Sequence, residues 1–448
     1  MDYLQLAHDV VDQARAAGAD AEAYISIGQR SHIQVDRGDV EKLSQAGSKG
    51  LGVRIIKAGQ MGYAYTSDFS SGSVTQTIEA ALTLAEVVDS DEHRVLPDPQ
   101  PLPEDNLQIF DPAIAETSVE EKIAFAKTAE AAALTADERV VMTNRVTYTD
   151  GAEQVYLVNS KGFAGSYEKS YAACFLRAIA QEGDERATGL GLGVSSVLAE
   201  LDARKIGTEA GERAARLLGG KPVPTQKATV VYSPFAAVAF LGPMAQALTA
   251  EAMQRKRSFL LDKIGQVVAS DTVTILDNGR LPGGLATRPF DDEGMPTGAT
   301  RLIDEGVLQA VLYDTYTAHK EGGKSSGNAA RFSHRQSPNL APNNFYIQPG
   351  HQTPEEIIAG VETGLYVVDT MNTHSINPVS GDYSVSAQGF WIENGRLSFP
   401  VNEVTVALPL DQLLQNVKAV GNDLIFLPFF GSIGSPTLRV DGVMIGGK

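Results

Sequence analysis

Apolar and polar positions along this 448-residue chain switch between two periods, and each switch marks an element. Leu4, Ala7, Val11 and Ala14 fall on one helical face, with Gly18 placed to close that helix. The period then drops to two. Ala23, Ile25 and Ile27 alternate with Glu22, Tyr24 and Ser26, which predicts a half-buried strand over Ala21–Ile27. Ser31–Asp36, Gly50–Ile56 and Gly62–Thr66 read as three further strands separated by Gly-bearing turns. Ser73 with Gln76 predicts a capping box for a helix whose apolar face is Ile78, Ala81, Leu82 and Ala85.

Pro97, Pro99, Pro101, Pro103 and Pro112 interrupt this pattern, in a stretch that can neither pair in a central strand nor form a helix. Beyond it the same order returns. Ser118 and Glu121 predict a capping box opening a helix through about Leu134. Strands are expected at Val140–Thr149, Gln154–Val158, Ser170–Ala180 and Thr188–Ser196, then a helix from about Ala199 to Leu218 that ends in Gly219-Gly220. Helix, four strands, helix thus occurs twice; the likeness is one of pattern and does not establish a duplication.

Lys221-Pro222-Val223-Pro224 marks a second boundary, and β character dominates after it. Ser233 and Pro234 suit the N-cap and first position of a helix carrying the apolar stripe Ala237, Phe240, Leu241, Met244 and Leu248. Gly242-Pro243 predicts a kink or break in that helix, which leads into the basic turn Arg255-Lys256-Arg257. Arg301–Leu312 reads as strand, turn, strand, and Thr353-Pro354-Glu355-Glu356 as a capped helix start. Asn394-Gly395 joins the strands Asp382–Ile392 and Arg396–Val401 in a hairpin. The expected fold is α+β. Residues 1–96 and 113–220 form two parts of an N-terminal helix-and-sheet region, 97–112 links them, and 221–448 form a β-rich C-terminal domain.

Charge and cysteine content narrow the setting. A formal charge of −18 disfavours contact with a nucleic acid backbone, which needs Lys and Arg. The single cysteine, Cys174, allows no intramolecular disulfide and no thiolate metal cluster; a buried inert thiol is expected. The first residues lack the basic and apolar regions of a signal peptide, and no apolar run approaches a membrane span, so a cytoplasmic location is expected.

Candidate chemistry is sparse. His8, His32, His93, His319, His334, His351 and His374 include no pair at i, i+3 or i+4, although the last four could converge in space. Gly189-Leu190-Gly191-Leu192-Gly193 lacks the context of a nucleotide loop and reads as a glycine-relieved strand. No Gly-x-Ser-x-Gly elbow is present. Asp291-Asp292-Glu293 reads by default as a solvated acidic loop. Ser380-Gly381-Asp382 is either a plain turn or a set of backbone N–H groups directed at a peptide. Arg255-Lys256-Arg257 could cap a helix C-terminus, form a solvated turn, or bind a peptide carboxylate or an acidic partner; the first is favoured.

Several short runs, taken together and in order, carry a family resemblance. They are Gly50-Leu51-Gly52-Val53-Arg54, Val158–Gly162, Leu217–Pro224, Phe290–Pro296, Ser380–Ser384, Gly389–Gly395, Val420–Leu424 and Ser435–Val440. With these the chain resembles the TldD/PmbA family over nearly its whole length, and Arg255-Lys256-Arg257 with the Ser-Gly-Asp-Tyr-Ser run makes it most similar to the PmbA (TldE) branch. The resemblance raises a structural or interface role for Asp291-Asp292-Glu293.

Active subunits of that family carry His-Glu-x-x-x-His and a late cysteine, which together supply two imidazoles, a third zinc ligand and a carboxylate base. Laid without gaps onto Gly265, Gln266, Ala269 and Ser270, the corresponding place reads Leu241-Gly242-Pro243-Met244-Ala245-Gln246, and the late segment Phe430–Ser435 has no cysteine. The resemblance therefore implies a subunit without catalytic or metal residues of its own, paired with a TldD-like zinc-bearing partner or with itself, that helps enclose a peptide substrate. Ser380, Gly381, Asp382, Arg255 and Lys256 are its substrate-channel or interface candidates. The alternatives are a standalone regulatory protein of gyrase-modulator type and an autonomous homodimeric hydrolase.

Overall fold

Asp2 accepts a hydrogen bond from Gln5 N–H and so caps α1 (Tyr3–Ala16), which buries Ala7, Val10, Val11 and Ala14. This helix packs on the first half of an antiparallel sheet described, like the rest of the chain, by a computed structural model covering residues 1–428 and 431–447. The N-terminal region continues with β1 (Asp20–Asp36), β2 (Asp39–Lys57), β3 (Gln60–Thr66) and α2 (Ser71–Glu86). After the proline-rich crossing come α3 (Pro112–Glu116), α4 (Val119–Thr135), β4 (Val140–Asn159), β5 (Ala164–Glu182), β6 (Glu185–Ser195) and α5 (Ala203–Arg216). The strand order is β3-β2-β1-β4-β5-β6, so the two halves share one sheet through the β1–β4 ladder.

The repeated order is real but its strand count is three, not four. Gly28 remains in the ladder opposite Ser48 and Glu153, so Ala21–Ile27 and Ser31–Asp36 are one strand. Val140–Thr149 and Gln154–Val158 merge in the same way into β4. Nor is β1 half-buried: Glu22, Tyr24 and Ser26 are as enclosed as the apolar residues between them. Helices cover one face of this central strand, and residues of the C-terminal domain, among them Phe290 and Arg331, cover the other.

Two helix starts also differ from expectation. α2 begins at Ser71 behind Ser70, and Ser73 lies inside its first turn, because the Asp68 carboxylate gathers Ser70 N–H and both serine hydroxyls. α5 begins at Ala203, where Asp202 accepts from Arg204 and Lys205 N–H, and only a single 3-10 turn precedes it. The Ser118–Glu121 capping box of α4 forms as expected. Cys174 is fully buried, and burial pushes its thiol up to about 12.

The C-terminal domain starts with β7 (Gln226–Tyr232), α6 (Pro234–Ala247) and α7 (Ala250–Gln254). β7 pairs with the strands Thr363–Met371 and Leu438–Gly446; Ser384–Glu393 and Arg396–Ala407 complete a ring, closed because Arg396–Ala407 also pairs with Leu438–Gly446. This five-stranded barrel has no edge among those strands. A second sheet includes Ile275–Asn278, Asn344–Ile347, Ser432–Ser435 and Ile425–Leu427. The hairpin turns at Glu305-Gly306 and Asn394-Gly395 take positive φ at both residues, which the Asn-Gly sequence of the second predicts. Among the described residues no helix is long and apolar enough to cross a membrane.

Candidate functional site

Ser233 caps α6 through Ala236 N–H, and its hydroxyl donates to Val368 C=O, which ties the helix to the barrel. Ala237, Phe240, Leu241, Met244 and Leu248 are fully buried, as the stripe predicts, but so are Ala236, Val238, Ala245 and Ala247 around them. The helix is enclosed rather than amphipathic, because barrel strands and the strand Ser432–Ser435 pack on different sides of it. Gly242-Pro243 does not break it: the helix runs on to Ala247, and Leu248 is its C-cap. The surrounding core outweighs the one ladder hydrogen bond that Pro243 forfeits.

The resemblance leads one to expect zinc ligands at this place, and the residues here do not fit zinc. Leu241 is buried among hydrocarbons, Gly242 has no side chain, and Gln246 points to solvent. The late segment brings Ser432, Ile433, Gly434 and Ser435 against α6, none of them a soft or imidazole donor; Phe430 lies outside the described residues. Among the described residues no three His, Cys, Asp or Glu side chains come together as a metal site. Two histidines do meet, His93 and His319, with Nδ1 atoms 3.2 Å apart. His334 is buried against Gly50 and Tyr65, and burial lowers its pKa.

The two groups of sequence candidates are neighbours. α7 ends in a Schellman arrangement: Arg257 N–H donates to Ala252 C=O, Lys256 N–H donates to Met253 C=O, and Lys256 has φ 53°. Arg255 pairs with Glu251 at 2.9 Å, so the basic run does end a helix, though α7 rather than α6. Next along the chain, Phe259 N–H donates to Pro378 C=O, and the Phe259 side chain packs on Gly381. Gly381 is buried with φ +79°, while Ser380 and Asp382 are exposed and joined by a hydroxyl–carboxylate hydrogen bond. The Asn394-Gly395 turn sits at the opposite end of that hairpin, against Ala359 of a separate short helix.

Asp291-Asp292-Glu293 is not a solvated loop. All three side chains are buried in an ionic cluster that joins the N-terminal sheet to the C-terminal domain. Arg54 of β2 bridges Glu22 of β1 at 2.5 Å and Glu293 at 2.7 Å; Arg331 also pairs with Glu22, and Arg288 holds Asp292 at 3.1 Å. Burial pushes the Glu293 carboxyl up, but the Arg54 charge and the hydrogen bonds from Thr315 and Arg54 more than offset it and leave it below its ordinary value. Asp291 moves the other way, to about 7, through burial and then the charge of Glu293. The sequence could not show this, since its charges come from segments hundreds of residues apart.

The same two parts of the chain enclose a cleft of about 670 Å³. One wall is β6 with α5. The other is formed by Ser233-Pro234-Phe235 at the head of α6, by Tyr366, Val368 and Asp369, by Gln388, and by Asp423 with Ile425-Phe426-Leu427. Gly189 and Gly191 let α5 press on β6: a Cβ at either would stand 2.2 Å from a carbonyl oxygen of α5. The glycine run is thus the relieved strand its sequence suggests, and it shapes one side of the cleft. Arg213 of α5 stacks on Phe235 across the cleft and donates to Leu190 C=O at 2.6 Å.

Comparison with known proteins matches the chain to three consecutive family models: PmbA/TldA metallopeptidase domain 1 over residues 21–85, the central domain over 112–218, and the C-terminal domain over 225–447. It is 29% identical to "Metalloprotease PmbA" of Escherichia coli O157:H7, covering 95% of this chain and 94% of that one. It is 26% identical to a "Metalloprotease" of Methanothermobacter thermautotrophicus, covering 100% and 99%. The crystal structure of TldE from Thermococcus kodakarensis superimposes with a TM-score of 0.93 at 22% identity, covering 99% of this chain and 100% of that one, a likeness of fold.

Proposed function

The chain belongs to the PmbA/TldD metallopeptidase family, and we propose that within it the chain is the subunit without zinc, required to complete a peptide-cleaving assembly whose metal sits on a TldD-like partner. One observation carries this reading. The place where the resemblance leads one to expect zinc ligands is filled by a buried apolar helix against a strand without an imidazole, thiolate or carboxylate, while the scaffold around it is kept over the whole chain. A metal site lost through drift in one ligand would leave the others; in this sequence the expected positions read Leu241, Gly242 and Gln246, and the late segment has no cysteine.

A wall needs no titrating catalyst. A peptide held extended for cleavage exposes backbone donors and acceptors, and each left unpaired on burial costs about 1–3 kcal/mol. Zinc need sit on only one side of a closed chamber, whereas both sides must supply partners. In this reading the Ser380-Gly381-Asp382 turn and the adjoining Arg255-Lys256 end of α7 line the chamber or the subunit interface. The test is co-purification with a relative that carries His-Glu-x-x-x-His, then peptide cleavage by each chain alone and by the pair. Turnover only from the pair supports the reading; full turnover from the zinc-bearing relative alone, or from this chain alone, overturns it.

A further inference from the structure

We infer that the outer edge of β6 is a strand-addition site for an extended peptide, preferentially one with cationic side chains. The inference deepens the proposed chamber role, and rests on it for the assignment of that peptide as a substrate.

β6 is the last strand of the N-terminal sheet, paired only with β5. Their hairpin closes on the Glu182–Glu185 pair across Gly183-Asp184. In an antiparallel ladder successive residues turn their N–H and C=O groups alternately toward and away from the partner. Counting from Glu185, the groups of Arg186, Thr188, Leu190, Leu192 and Val194 point away from β5. Arg213 reaching Leu190 C=O from outside fits that parity. No main-chain partner for the other outward groups is found among the described residues.

A free edge on an open surface meets water. This one faces the cleft, and Thr188, Leu190, Leu192 and Val194 are half-buried there. A second, smaller hollow of about 400 Å³ continues along Glu185–Thr188, and Thr188 and Gln388 line both. The eleven residues of β6 span roughly 35 Å at about 3.3 Å each, so the edge offers a peptide several consecutive main-chain pairs.

The lining sets the preference. Glu200, Asp202, Glu209, Asp369 and Asp423 bring five carboxylates to the larger cleft, against the two cations Lys205 and Arg213. Arg213 is already matched by Glu209 at 2.8 Å and Asp369 by Arg177 at 3.4 Å, which leaves Glu200, Asp202 and Asp423 against Lys205. The net field is negative and favours Lys or Arg side chains, or a free amino end, over acidic peptides.

Proline supplies a selective probe. At an outward position of an edge strand it removes no ladder hydrogen bond, yet it deletes a docking donor and obstructs an added strand. Thr188→Pro is the variant, with Thr188→Val as the control that keeps the N–H. The probe is a fluorescein-labelled, proline-free ten-residue peptide containing lysines, followed by anisotropy at low salt against the isolated chain, beside a matched glutamate peptide. The expected result is at least tenfold tighter binding of the lysine peptide, at least tenfold loss in Thr188→Pro, and wild-type affinity in Thr188→Val. Hydrogen exchange of the wild-type chain reads the same site without a substitution: the peptide should slow exchange within 186–194. Undiminished affinity in folded Thr188→Pro, no binding by the wild type, or an exchange footprint outside 186–194 overturns the site. The subunit role is judged separately, by turnover with the zinc-bearing partner. Loss of binding in Thr188→Pro with unchanged turnover would uphold the edge as a peptide site and remove it from the cleavage path.

Discussion

Arg54→Met removes the cation at the centre of the ionic cluster while keeping most of its hydrocarbon volume. The side chains of Arg54, Glu22 and Glu293 are 6%, 0% and 4% exposed, so water cannot take the place of the lost partner. Glu22 keeps Arg331, and the cost therefore falls mainly on Glu293, left with Thr315 N–H as its hydrogen-bond donor. Breaking a buried pair in this way costs about 3–5 kcal/mol. The sign with pH follows from Glu293. Arg54 holds its carboxyl below the ordinary value; without that charge, burial raises it, and a raised carboxyl regains stability as pH falls. Denaturation midpoints of wild type and variant between pH 8 and pH 5 should therefore differ most at pH 8 and converge toward pH 5. Arg54→Met with Glu293→Gln should recover most of the loss, since the stranded charge is gone. A loss under about 1 kcal/mol at pH 8, a gap that does not narrow in acid, or no recovery in the double variant would refute the reasoning.

Three further outcomes follow from the same structure. Leu248→Asp should lower the melting temperature sharply, because its site is fully buried and offers a carboxylate no partner; an unchanged melting temperature contradicts the α6 packing. Asp291, pushed up to about 7, holds a proton in the folded chain that the unfolded chain releases near pH 4, so its contribution is complete below about pH 4 and is lost as pH rises through about 7. Calorimetry from pH 5 to 8 should show a falling midpoint that flattens in Asp291→Asn; equal slopes in both would assign the effect elsewhere. Asp382→Ala should leave the assembly with the zinc-bearing partner intact by mass but lower its peptide turnover, and wild-type turnover would take the exposed turn out of the substrate path. Gly381→Val is the poorer probe, since φ +79° and the Phe259 contact make it a folding variant.

Much of this fold is legible from local pattern. The α4 capping box, the Asn394-Gly395 turn and the cap and N1 proline of α6 are decided by residues within a few positions of one another. What failed depended on tertiary cover. Glu22, Tyr24 and Ser26 look solvent-facing beside Ala23 and Ile25, but Phe290 and Arg331 of the C-terminal domain close over β1 together with Arg54 and Phe163 of the N-terminal region. Gly28 looks like a turn and is a ladder residue because β2 and β4 hold it on both sides. Pro243 looks like a helix break and is carried by the packing around α6. The departure from the His-Glu-x-x-x-His motif is visible in the sequence, because such a motif is local; the cluster around Arg54 and the free edge of β6 are not, because both depend on where distant segments meet. The alternating glycines at 189, 191 and 193 were the available signal that a helix approaches that strand closely, while Gly207 and Gly211 in α5 mark its close contact with α4.

The central claim is that this chain contributes structure, not metal, to a peptide-cleaving pair. The most direct measurement is zinc per assembled complex, by elemental analysis and native mass spectrometry, taken on the same sample whose peptide turnover is recorded. The account predicts no tightly held zinc in this chain alone, one in the active complex, and turnover that vanishes when this chain is withheld. About one zinc held by this chain alone, or an active partner that does not need it, would contradict the account.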